Sequence, residues 1–125
     1  MFLFESLLVA MSTYSVIPVP QFEWNDRNMK YAICCFPVVG LFCGAALWGW
    51  SALTELLEIG SFFFTMIATC LPLLITGGIH MDGYMDTVDA LASHQSRERK
   101  LEILKDPHCG AFAVIYCGVY LLIYA

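Results

Sequence analysis

Three strongly apolar stretches of the chain carry no charged side chain: 31–54, 59–79 and 110–125. A helix needs about 20 apolar residues to cross the hydrocarbon core of a bilayer, and the first two stretches reach that length. The third is shorter and runs to the last residue, as expected of a helix cut short by the chain end. Backbone polar groups in lipid must be satisfied internally, so runs of this kind are helical. Phe62-Phe63-Phe64 and Val38-Val39 suit strands locally, but the runs around them are too long and too continuously apolar. Pro37 and Pro72 fall inside the runs, where bundled membrane helices tolerate them. The pattern predicts an all-α, multi-pass integral membrane helical bundle. Spanning helices are expected at 31–53 and 59–80, and a third begins at 109–125.

Composition agrees. The chain of 125 residues is 59% hydrophobic and 14% charged, against about a quarter charged in a soluble domain. Its net charge of −5 leaves no basic surface for nucleic acid. The six cysteines lack CxxC spacing and mostly sit in apolar runs, which reads as small buried hydrophobes.

Lys and Arg set the orientation. Arg27 and Lys30 precede the first run, and Arg97, Arg99, Lys100 and Lys105 lie between the second and third. The link between the first two runs has Glu55 and Glu58 and no base. Both basic segments therefore belong on the cytoplasmic face, with Trp48 and Trp50 near the far interface. Residues 1–22 are apolar apart from Glu5 and contain Pro18 and Pro20. They are expected to form a re-entrant or interfacial segment, a true span being the second choice. Ile17-Pro18-Val19-Pro20 should be extended.

The segment 81–108, with His80 before it, is unlike the rest. From His80 to Cys109 it holds all three histidines, six of the eleven acids and four of the six bases. Asp82, Asp86 and Asp89 recur at i, i+4 and i+7, which places them on one helical face within about 60°. Like charges so close are tolerable around a divalent cation, and hard oxygen ligands suit Mg²⁺ or Mn²⁺ carried with substrate phosphates. A solvated acidic face is the other reading. His80 is open to three roles: general base, phosphate contact or packing residue. His94 and His108 are not expected to be ligands. Residues 97–106 resemble a short amphipathic helix, either interfacial or offering Arg97, Arg99, Lys100 or Lys105 to a phosphate, with Asp106 near the metal.

The run Thr76-Gly-Gly-Ile-His-Met-Asp-Gly-Tyr-Met-Asp-Thr-Val-Asp-Ala-Leu91 closely resembles the signature of the cobalamin synthase (adenosylcobinamide-GDP ribazoletransferase) family. Arg97-Glu-Arg-Lys-Leu-Glu-Ile-Leu-Lys-Asp-Pro-His-Cys-Gly-Ala-Phe112 is similar to that family's second block. Ile17-Pro-Val-Pro20 and Phe36-Pro-Val-Val-Gly40 resemble its N-terminal blocks. Val16 stands where the family usually has a base, and Pro107 where Ser is common. The family is about twice as long, so the resemblance marks the chain as one membrane domain from its N-terminal half.

The resemblance implies a transferase of cobalamin biosynthesis in the cell membrane with a cytoplasmic active face. It would join adenosylcobinamide-GDP to α-ribazole or its 5′-phosphate and release GMP. The implied site has His80, Asp82, Asp86 and Asp89 as catalytic residues, the three aspartates holding Mg²⁺. Arg97, Arg99, Lys105, Asp106, Pro18 and Pro20 would contact substrate. Implied partners are the two substrates and the lipid bilayer, with room for association with other cobalamin-assembly enzymes. Two alternatives stand beside it. One is another Mg²⁺-dependent membrane diphosphate transferase, of CDP-alcohol phosphotransferase or prenyltransferase type. The other is a non-catalytic membrane subunit.

Overall fold

The computed structural model describes residues 2–20 and 26–125. Met1 and residues 21–22 of the expected interfacial segment lie outside the described residues, as does the Arg27 side chain used for orientation. The described residues form six α-helices and no strand. They fall into two compact units, residues 1–78 and 79–125, where the sequence reading treats the chain as one domain.

The first unit contains α1 (Phe2–Tyr14), α2 (Asp26–Leu56) and α3 (Ser61–Thr76). α1 packs on α2 through Val9 and Ala10 against Ala32, with Tyr14 and Cys35 beside them. Alanine on both helices lets the backbones approach closely. The Tyr14 and Phe36 rings meet edge to face, 5.2 Å between centroids. Hydroxyls on α1 turn inward: Ser12 and Thr13 both donate to the Val9 carbonyl. A helix with an apolar exterior hides its polar groups in this way.

α2 is 31 residues long and extends the expected 31–53 helix at both ends. Its portion Lys30–Leu56 is long and apolar enough to cross a membrane, and only 11% of its most apolar window is buried within the protein. That low burial separates it from the core helix of a soluble protein, which is covered on most sides. Leu41 and Trp48 are among its widely exposed apolar side chains. Trp50 instead turns toward α3 and donates its indole N–H to the Phe64 carbonyl at 3.1 Å. Between these helices Glu58 adopts a left-handed φ of 51°, and Ile59 N–H reaches back to the Thr54 carbonyl.

The helix expected over 59–80 ends at Thr76. Gly77 and Gly78 have φ of 63° and 74°, a left-handed conformation that glycine adopts without steric cost. Gly78 N–H bonds to the Leu73 carbonyl at 2.9 Å, the 6→1 bond of a Schellman helix end. The extended segment after α1 docks here, with Val16 N–H on the Ile75 carbonyl at 2.9 Å. A Cβ on Gly77 would lie 2.7 Å from Val16 Cγ1.

The second unit contains α4 (Ile79–Ala92), α5 (Arg97–Ile103) and α6 (Ala111–Tyr124). α4 and α6 lie antiparallel: Tyr84 meets Tyr120 at 5.7 Å, while Asp89 reaches the start of α6. Ala90 and Ala113 are buried in this unit.

Candidate metal and diphosphate site

All three aspartates stand on α4, but they differ in what they touch. Asp82 lies in the first turn, where the positive end of the helix dipole favours a carboxylate. It is exposed, and Asp86, one turn further, is half-buried. Neither carboxylate has a hydrogen-bond or ion-pair partner among the described residues. Asp89 is fully engaged. Its Oδ2 accepts the Gly110 N–H at 2.6 Å, and its Oδ1 accepts the Ala113 N–H at 2.8 Å. Gly110 is the N-cap of α6 and brings no side chain of its own to cap the helix. Asp89 supplies that cap from 21 residues upstream.

The expected three-carboxylate cluster is therefore not assembled. Among the described residues no three His, Cys, Asp or Glu side chains come together as a metal site. The pair Asp82–Asp86 remains. Mg²⁺ keeps several waters and is commonly held by one or two carboxylates plus substrate phosphates. Two unpartnered carboxylates one helical turn apart match that donor set.

His80, the second residue of α4, is exposed. His94 follows the end of α4 with a left-handed φ of 51°, a helix-terminating position. Arg97 and Lys105 are exposed and form no ion pair with a described residue. Arg99 is paired with Glu102 on the next turn of α5. Pro18 and Pro20 are exposed on the extended segment of the first unit, beyond the Val16 contact.

Asp106 closes a tight turn. Its Oδ1 accepts the His108 backbone N–H at 3.0 Å and lies 2.6 Å from His108 Nδ1. The His108 N–H, then its ring, holds the Asp106 carboxyl below the ordinary aspartate range. The turn borders an open hollow of about 440 Å³ in the second unit, lined by Asp89, Ser93, Asp106, His108 and Phe112 among others. Sequence reasoning set His108 aside as a ligand; the structure gives it a place beside Asp106. The signal was the Asp-x-His spacing, which suits an Asx turn.

The sequence profile of the cobalamin-5-phosphate synthase family matches residues 6–125. The chain is 52% identical over 120 residues to an adenosylcobinamide-GDP ribazoletransferase of Lachnoclostridium phytofermentans, covering 96% of this chain and 46% of the relative. It is 41% identical over 121 residues to one of Desulfitobacterium hafniense, covering 95% and 47%. A relative of the same name from Clostridium botulinum is 37% identical over 113 residues, covering 90% and 45%. The chain thus spans about half the length of these relatives. No solved structure matches it significantly.

Proposed function

The chain belongs to the cobalamin-5-phosphate synthase family, and from that premise we propose that it carries the metal and diphosphate site of a membrane transferase. The reaction joins adenosylcobinamide-GDP to α-ribazole or its 5′-phosphate. A ribose hydroxyl oxygen forms the new bond to phosphorus, the phosphorus–oxygen bond to GMP breaks, and the hydroxyl proton passes to a base.

The observation that carries this reading is the unpartnered Asp82–Asp86 pair in the first two turns of α4. Bound Mg²⁺ would supply neutralisation of negative charge on the diphosphate. Asp82 and Asp86 would hold it there, and Asp86 matters most because it is the less exposed residue of the two. Arg97 and Lys105 are free to meet phosphate oxygens, whereas Arg99 must first leave Glu102. His80 is the nearest histidine in sequence to Asp82 and is the proposed base. Asp106 completes the proposed substrate contacts within this unit. Positioning and charge stabilisation dominate phosphoryl transfer, so no covalent intermediate is invoked.

The setting is proposed to be the cell membrane. On this reading α2 crosses it, and the Lys/Arg asymmetry supports a cytoplasmic position for 81–108. α3 has 16 residues, about 24 Å at 1.5 Å per residue, short of the ~30 Å hydrocarbon core. A multi-pass topology therefore needs the residues around Gly77 and Gly78 to complete its return.

Asp86→Asn in the full-length protein tests the proposal. It keeps size, removes charge, and should lower kcat by about 10²-fold or more, the scale of losing one charge-stabilising group. Normal turnover at saturating substrate and low Mg²⁺ would make the pair a solvated acidic face.

A further inference from the structure

We propose that Asp89 is a positioning residue: its carboxylate clasps the N-terminus of α6 and so fixes the turn carrying Asp106 against α4. This rests on the transferase reading for its functional consequence, though not for its geometry.

The geometry is specific. The first turn of any helix leaves N–H groups without intrahelical partners, and the macrodipole adds partial positive charge there. α6 begins at Gly110 with no side-chain cap of its own. Asp89 fills that need with one oxygen on each of two amides, at 2.6 and 2.8 Å. Charge-assisted bonds of this length are about twice as strong as neutral ones. The approach is so close that a Cβ on Gly110 would lie 2.6 Å from both Asp89 oxygens. Gly110 has φ −85° and ψ 168°, which any residue adopts, so its need for glycine comes from space for the carboxylate.

The clasp acts at a distance through the chain. Gly110 is separated from the Asp106–His108 turn only by Cys109, and Asp89 and Asp106 line the same hollow. Releasing the carboxylate lets α6 and the turn drift from α4, which moves Asp106 without touching Asp82 or Asp86. A clasp and a metal ligand thus predict different losses. Loss of a ligand raises the Mg²⁺ requirement. Loss of the clasp raises KM for the GDP-linked substrate and leaves the Mg²⁺ requirement alone.

The experiment uses the full-length chain in detergent. Amide hydrogen exchange is first measured on the wild type in EDTA. Gly110 and Ala113 should be protected without metal; free exchange there would overturn the proposal, and this arm needs no variant and no turnover. Asp89→Asn and Gly110→Ala are then compared. Both should speed exchange at these amides by about tenfold or more and raise KM, while the Mg²⁺ concentration for half-maximal activity stays within about twofold of wild type. A raised Mg²⁺ requirement in Asp89→Asn, with wild-type exchange and kinetics in Gly110→Ala, would overturn it and return Asp89 to the metal. If neither variant folds, the wild-type exchange decides. Absence of turnover in every protein would count against the transferase reading and leave the exchange result standing.

Discussion

Gly77→Ala tests how the N-terminal extended segment is held. Two penalties meet at this residue. Its φ of 63° is left-handed, which costs an L-residue about 1–2 kcal/mol. The new Cβ would also lie 2.7 Å from Val16 Cγ1, and overpacking of that kind costs about 1–3 kcal/mol. Val16 is 61% exposed and can partly swing away, so the low end of that second range applies. The sum is about 2–3 kcal/mol. Gly78→Ala is the internal control: its φ is 74° but nothing lies within 4 Å of its Cβ position, so it should lose only about 1–2 kcal/mol. Adding Val16→Gly to Gly77→Ala removes the clash and should recover most of the difference. Reversible unfolding of the full-length protein in mixed micelles measures all three. If Gly77→Ala costs no more than Gly78→Ala, Val16 does not press on this helix end and the docking described above is wrong.

Trp50→Phe removes the indole N–H that reaches the Phe64 carbonyl and should cost about 0.5–1.5 kcal/mol in the same assay, whereas Trp48→Phe, on an exposed ring, should cost little. The carboxyl of Asp106 should titrate below the ordinary value of 3.8 because the His108 N–H and ring favour its charged form. With the folded value depressed, the contribution of the turn is complete above that ordinary value and is lost as pH falls through the lower, folded one. Carboxyl ¹³C shifts would show it, and His108→Ala, which removes the ring but keeps the backbone N–H, should move the titration only part of the way back up. Single cysteines at Leu57 and Gln95, in a background without the native cysteines, should be labelled from opposite sides of the membrane; labelling from one side would refute the proposed topology.

Much of the helical content was legible because charge-free runs in a chain this apolar leave few alternatives. The Gly77-Gly78 pair was visible too, but its meaning was not. A sequence shows that two glycines permit a left-handed turn; only the fold shows Val16 bonded to Ile75 beside them. The aspartate spacing correctly placed three carboxylates on one helix, yet spacing along α4 says nothing about partners on α6. Asp89 bonds to backbone amides 21 and 24 residues away, and backbone amides carry no sequence signature. One indirect signal existed. Cys109-Gly110-Ala111 opens an apolar helix without Ser, Thr, Asp or Asn at the cap, which leaves its first amides open to a partner from elsewhere.

The central claim is that Asp82 and Asp86 hold a divalent cation against a diphosphate. Its most direct test is equilibrium binding of adenosylcobinamide-GDP to the full-length protein, titrated with Mg²⁺. Affinity should rise with Mg²⁺ in the wild type, and Asp82→Asn and Asp86→Asn should each abolish that rise, while Glu55→Gln in the last turn of α2 leaves it intact. Binding that ignores Mg²⁺, or a Mg²⁺ response that survives both aspartate substitutions, would contradict the account.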